Sequence, residues 1–373
     1  MSDLPSTTRE LVSTLTEDGV ITFSVREADL RDLGPDDVLV KVGAAPVNPS
    51  DLGLMFAGAD MSGARDAGGG GVAADVTAGL GSMAGRFGTA MVCGNEGGGT
   101  VIATGGSDAA SALADKVVGF ISGDAYAEYR VLNAMQCLAM PDGTTPEQAA
   151  AWFVNPLTAL GMTETMRRDG HTALVHTVGA SNLGQMLNRI CLDDGIPLVN
   201  IVRRAEHVEL LAGQGAEHVV NSSLDSFGDD LRAALSATGA TIAFDAIGGG
   251  SMASTLLGAM ERVASEGAAY SRYGSDTKKQ VYIYGRLDPS PITLQQNFGL
   301  SWSLGGWLLT PFLGEIGLEG QQRLRERVAA EITTTFASEY GTKLTLDEAV
   351  SVEHARRYAQ MATGDKALIT PHG

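Results

Sequence analysis

HTALVHTVGASNLGQMLNRICL, residues 171–192, holds an apolar run, a small-residue turn and a helical repeat in that order. Residues 172–177 are the apolar run and 178–182 the turn; Leu183, Met186, Leu187 and Ile190 then fall on one helical face. This predicts strand, tight turn, helix. Such a turn aims backbone N–H groups and the positive end of the helix dipole at one point, where a pyrophosphate can approach small residues. The glycine fingerprint is incomplete, because Gly179 and Gly184 are present while Ala180, Ser181, Asn182 and Leu183 fill the span between them. Alone it is a weak dinucleotide signal.

Toward the C-terminus, residues 197–202, 218–220, 241–246 and 280–284 read as strands, alternating with helices at 205–212, 227–237 and 251–260. Strands alternating with helices imply a parallel sheet covered on both faces. After Gly320, Leu324, Val328, Ile332 and Phe336 recur every four residues and predict one more amphipathic helix. The tail from residue 344 reads as a strand or loop, a helix and a final strand.

Toward the N-terminus, residues 11–47 have β texture and point to an antiparallel, barrel-like unit. Residues 57–92 contain ten glycines and read as a mobile loop or lid, or equally as a surface insertion. Thr145-Pro146-Glu147-Gln148 starts a helix with a capping pattern.

A chain of 373 residues can bury two cores, and its net charge of −18, from 26 basic and 44 acidic residues, repels nucleic acid and anionic membranes. Cys93, Cys137 and Cys191 lie far apart with no CxxC pair, which suggests neither a disulfide framework nor a structural zinc cluster. The first residues lack the apolar core of a signal peptide, and the uncharged stretch 289–314 is broken by polar residues and Pro311. A cytoplasmic protein with no membrane or nucleic-acid partner is expected.

Six short pieces in order carry a resemblance: VNPSDL (47–52), GNEGGGTV (94–101), YAEY (126–129), NPLTA (155–159), YGRLDPSPITL (284–294) and GDKALI (364–369). With them the chain resembles the medium-chain dehydrogenase/reductase superfamily, particularly its zinc-free quinone oxidoreductase and enoyl reductase-like branch. The resemblance implies an α/β fold: a Rossmann doubly wound parallel sheet at 151–335 plus a GroES-like β-rich catalytic domain at 1–150, to which 336–373 return. It further implies an active site in the cleft between them and a homodimer, for which 285–314 is the candidate interface segment. Zinc members carry Cys and His where Asn48 and Asn95 stand here; amides are poor zinc ligands, so no metal is expected.

The second strand of the predicted sheet ends in Arg203-Arg204 rather than in an acidic residue, which favours the 2′-phosphate of NADPH over NAD. By resemblance Asn155, Thr158, Tyr284 and Gly285 also border the cofactor, and Asn48, Tyr126 and Asn95 are the candidate substrate-side groups. The chemistry expected is hydride transfer from NADPH to a small-molecule substrate, a quinone or an α,β-unsaturated carbonyl. Enoyl thioester reductases of the family use a tyrosine from the N-terminal domain as proton donor, and no tyrosine precedes Tyr126. Enoyl thioester reduction is therefore the second reading, and an NADPH-binding sensor or structural protein without turnover the third.

Overall fold

The computed structural model describes residues 4–360 and 366–373. The chain divides into two compact units, Met1–Val154 with Arg325–Gly373, and Asn155–Leu324. No helix among the described residues is long and apolar enough to cross a membrane.

The first unit begins with β1 (Thr7–Leu15), β2 (Val20–Asp29) and β3 (Asp37–Pro46), followed by α1 (Pro49–Phe56). Next come β4 (Arg65–Gly68), β5 (Gly71–Asp75), β6 (Met91–Val92), β7 (Glu96–Thr104), α2 (Asp108–Ser111), β8 (Val117–Ile121), β9 (Tyr129–Asn133), β10 (Cys137–Ala139) and α3 (Pro146–Ala149). One sheet has the order β4-β5-β2-β1-β6. Leu11, Leu15, Ile21 and Phe23 from β1 and β2 share a buried core with Val38, Val40 and Val42 of β3. Gly97, Gly98 and Gly99 of GNEGGGTV lie in β7, where they permit close approach: a Cβ on Gly98 would lie 2.1 Å from the Pro146 carbonyl oxygen. The helix expected at Thr145 is α3, and its capping box pairs Thr145 with Gln148.

The glycine-rich stretch is not a structureless lid. Its β5 pairs antiparallel with β2 from Val72 opposite Phe23 to Asp75 opposite Val20, and buries Gly71 to Ala74. The turn at Gly68, Gly69 and Gly70, all with positive φ, uses its glycines for backbone freedom, as do Gly58, Gly79 and Gly88. Val72 and Ala74 face the core, and burying them ties the segment down.

The second unit contains α4 (Val154–Arg168), β11 (Leu174–Thr177), α5 (Asn182–Asp194), β12 (Leu198–Val202), α6 (Ala205–Gly213), β13 (His218–Asn221), α7 (Phe227–Thr238), β14 (Ile242–Asp245), α8 (Met252–Ala264), β15 (Lys279–Ile283), β16 (Trp302–Gly306) and α9 (Leu309–Ala330). Its six strands are parallel, in the order β13-β12-β11-β14-β15-β16. The near-continuous burial of β11, β12 and β14 is what a sheet covered on both faces requires. Two differences from the sequence reading stand out. Strand β16 lies inside 285–314, where its two glycines hid any strand alternation. Helix α9 starts eleven residues before Gly320 and kinks at Gly317 (φ 68°), and it ends at Ala330, so Ile332 and Phe336 are buried from the turns beyond it.

The chain returns to the first unit as β17 (Thr342–Leu344), α10 (Leu346–Ala349), α11 (Val352–Ala359) and β18 (Ala367–Ile369). Strand β18 joins β17 in parallel and β3 antiparallel, with Leu368 opposite Pro46 and Ile369 opposite Ala45. These pairings complete a sheet of order β10-β8-β7-β3-β18-β17, with β9 also on β3. Gly364 and Asp365 of GDKALI lie outside the described residues.

Candidate functional site

In the second unit the turn after β11 has the form the sequence predicts. Ser181 caps α5, its hydroxyl accepting the Gly184 N–H at 3.0 Å. Gly179 donates its N–H to the Ile201 carbonyl at 2.9 Å, which fastens the turn to β12. Both glycines are required by space: a Cβ on Gly184 would lie 2.2 Å from the Gly179 oxygen, and one on Gly179 would lie 2.8 Å from Asn200 Oδ1. Asn182 is the first residue of α5, clear of that close contact, so an asparagine there does not breach the fingerprint's packing demand. Val178 is held at φ 60°, a left-handed conformation uncommon for a β-branched residue. Ala180 and Leu183 are buried and anchor the turn from below.

Sequence reasoning missed two groups that shape the strand ends here. The Asp245 carboxylate, at the end of β14, accepts Thr177 Oγ1 at 2.8 Å and the N–H groups of Ile247 and Gly248, and so clips β14 to β11. His176 Nε2 lies 2.7 Å from the Tyr284 hydroxyl, and burial pulls its pKa down to about 3, which keeps the ring neutral. Burial raises the Tyr284 pKa, and nearby Asp245 raises it further. The alternation of a buried strand carries no signal that distinguishes such polar residues from core positions; only contacts across strands do.

Gly285 follows Tyr284 so closely against β14 that a Cβ would lie 2.6 Å from the Ala246 oxygen. Beside it, Tyr282, Tyr284, Arg286, Trp307 and Phe312 line a cavity of about 610 Å³. Arg203 and Arg204 are exposed at the end of β12. Arg204 reaches Glu206 at 3.4 Å, and Arg203 has no acidic partner among the described residues. Asn155 and Thr158 sit in the first turns of α4, nearly buried, with no side-chain hydrogen bond among the described residues. The whole set presents small residues, backbone donors and a free guanidinium, a donor set that fits a phosphorylated dinucleotide.

In the first unit Asn48 caps α1 and is 1% exposed. Its Nδ2 donates to Glu96 Oε1 at 2.8 Å, and Glu96 Oε2 accepts the N–H groups of Phe153 and Val154 at 2.8 and 3.0 Å. Asp51 accepts the N–H groups of Asn48 and Asn95 at 2.7 and 3.0 Å. Burial pushes Asp51 up to about 7 and raises Glu96 as well. The Asn95 side chain turns to Ser50 Oγ at 3.2 Å.

Of the substrate-side candidates, Tyr126 is held inside the first unit. It is fully buried, its hydroxyl donates to the Pro46 carbonyl at 3.1 Å, and burial together with Asp51 raises its pKa well above the usual range. Gly94 shows why it is there: a Cβ at that position would strike the Tyr126 ring at 2.6 Å. Burial likewise raises the Cys93 thiol to about 12, so it is no nucleophile. Among the described residues no three His, Cys, Asp or Glu side chains converge as a metal site.

No protein-family model matches the chain. It is 28% identical over 181 residues to the rat synaptic vesicle membrane protein VAT-1 homolog, a match covering 47% of this chain and 44% of that protein. It is 25% identical over 226 residues to bovine mitochondrial enoyl-[acyl-carrier-protein] reductase, covering 58% of this chain and 53% of that one. The chain thus spans about half the length of the curated relatives it matches. Among solved structures, one described as an NADPH:quinone reductase from Mesorhizobium loti superposes with a TM-score of 0.73 at 25% identity, covering 99% of this chain and all of that one. The enoyl thioester reductase of Candida tropicalis superposes with a TM-score of 0.69 at 19% identity over 98% of this chain and 99% of that one, a likeness of fold. With the ordered motifs and the six-stranded parallel sheet, these likenesses support the resemblance to the medium-chain dehydrogenase/reductase superfamily and its quinone oxidoreductase and enoyl reductase-like branch.

Proposed function

We propose that the chain is an NADPH-dependent oxidoreductase that reduces a quinone or an α,β-unsaturated carbonyl compound. The observation that carries this reading is Arg203, a guanidinium without an acidic partner among the described residues at the end of β12, beside a turn whose two glycines let the backbone pack tightly ahead of α5. Residues 179–184 would receive the pyrophosphate, Arg203 and Arg204 the 2′-phosphate, and Asn155, Thr158, Tyr284 and Gly285 the nicotinamide half. Bound NADPH supplies the hydride. The chain's own part is to orient the reactants and to stabilise the negative charge that develops on the substrate, with Asn48 and Asn95 as the substrate-side amides. The relatives' names, a quinone reductase and enoyl reductases, agree with this class of chemistry.

Enoyl thioester reduction is the second reading, favoured by the match to the bovine enoyl reductase and weakened by the burial of Tyr126. A homodimer is also proposed, joined along the outer edge of β16, where the half-buried Trp302 to Gly305 have no second strand partner among the described residues.

Titration of tryptophan fluorescence should show NADPH binding about tenfold or more tightly than NADH, and Arg203→Ala should abolish the preference. Equal affinities in the wild type would sink the Arg203 argument. Oxidation of NADPH with quinones, enones and crotonyl-CoA then separates the two substrate readings. Binding without turnover on the whole panel would favour a sensor.

A further inference from the structure

We propose that Lys366 and Asn48 together hold one buried water molecule, and that this Lys366–water pair supplies the proton that completes reduction of an α,β-unsaturated carbonyl. The proposal rests on the function given above and on Asn48 as a substrate-side group.

The geometry begins with strand register. Leu368 pairs with Pro46, and Val47 donates its N–H to the Ala367 carbonyl at 3.0 Å; continuing that antiparallel register sets Lys366 opposite Asn48. Directly opposed residues project from the same face and their side chains meet. Among the described residues Asn48 Oδ1, which faces the Asp51 backbone in the α1 capping box, is buried without a bond of full geometry, and Lys366 Nζ is a buried polar atom with no hydrogen-bond partner. The first can only accept and the second can only donate. One water satisfies both, and without it each carries the cost of an unmade hydrogen bond. The amide is not free to turn over, because Nδ2 is committed to Glu96 Oε1 and a flip would set two acceptors against each other.

The groups facing Lys366 complete the site. Glu96 from β7 and Asp51 from α1 are the acidic neighbours, and the Tyr340 ring lies 5.9 Å from Nζ. Burial lowers the Lys366 pKa while Glu96 and Asp51 oppose the shift, which makes its ammonium a better acid than that of an exposed lysine. Tyr126 does not compete for this role, since its hydroxyl is spent on Pro46.

The step balances as follows. The substrate's β-carbon accepts hydride with its two electrons, the C=C π pair moves toward the carbonyl, and an enolate forms. The enolate α-carbon takes a proton from the water, the water takes one from Lys366 Nζ, and the neutral amine regains its proton from solvent. Lys366 acts through the water and is a proton-supplying, positioning residue.

Two measurements test it. A high-resolution crystal structure of the cofactor-free protein should show a water within about 3.2 Å of both Lys366 Nζ and Asn48 Oδ1; a dry site overturns the proposal whatever the activity. Lys366→Met should lower kcat by about 10²-fold or more, leave NADPH affinity unchanged, raise the solvent isotope effect and suppress the isotope effect of deuterated NADPH. A wild-type rate in Lys366→Met overturns it. If that variant does not fold, Lys366→Arg decides: it keeps the charge yet releases its proton poorly, so kcat should fall and the basic limb of the pH profile should move upward, and an unchanged rate and profile overturn the proposal. Failure of the wild type to reduce any unsaturated carbonyl would instead sink the function itself, while the crystallographic water reports on the site separately.

Discussion

Single residues at the β11 turn show how closely backbone space governs this protein. Gly184 tolerates nothing larger, since even a methyl group would overlap the Gly179 carbonyl at 2.2 Å. Gly184→Ala should therefore destabilise the second unit by about 1–3 kcal/mol and weaken NADPH binding by about tenfold, read as a lower Tm and a shifted fluorescence titration. A variant with wild-type affinity would show that the turn is not the phosphate site. The spacing of Gly179 and Gly184 was legible in the sequence because glycine is its own label. The reason Asn182 is allowed was not legible, because it depends on where the helix starts relative to the close contact. Nor was the burial of Tyr126, whose identity suggested chemistry.

Elements show the limits of composition. Ten glycines between residues 57 and 92 read as a mobile loop, yet β5 is tied to β2 along four residue pairs. Hydrogen exchange should find the amides of 72–75 that face β2 protected like those of β2 itself, while those of 67–70 exchange quickly; uniform fast exchange across 57–92 would restore the lid. Four small apolar residues in a row were enough for a strand once a partner edge was present, and no local pattern revealed that edge. Strand β16 escaped for the related reason that Gly305 and Gly306 end it. By contrast α5, α7 and α8 were visible from their repeating apolar face, since 3.6-residue spacing reports a helix without reference to anything it touches.

For the whole molecule, buried titratable groups in the two units give stability opposing dependences on pH. His176 has its pKa pulled from 6.5 to about 3 by burial, so the unfolded chain binds the proton first and stability is lost as pH falls below 6.5 toward 3. Asp51 is raised from 3.8 to about 7, and Glu96 shifts in the same direction, so their contribution is fullest below the unfolded pKa and is lost as pH rises through the folded one. Urea midpoints from about pH 4 to about pH 8 should show His176→Gln flattening the acid slope and Asp51→Asn flattening the opposite one, each by on the order of 1–3 kcal/mol. Parallel curves for variants and wild type would contradict both assignments. The sequence by itself determined the alternation of strands and helices, the phosphate-type turn and the Arg203-Arg204 strand end, because periodicity, turn chemistry and charge are local properties. Only the tertiary structure decided which polar residues are spent on neighbours and which are left open. Asn48 and Lys366 lie more than three hundred residues apart and are set opposite each other only by the register in which β18 pairs with β3, a register set by burial of Leu368 and Ile369 and not by any signal near either residue.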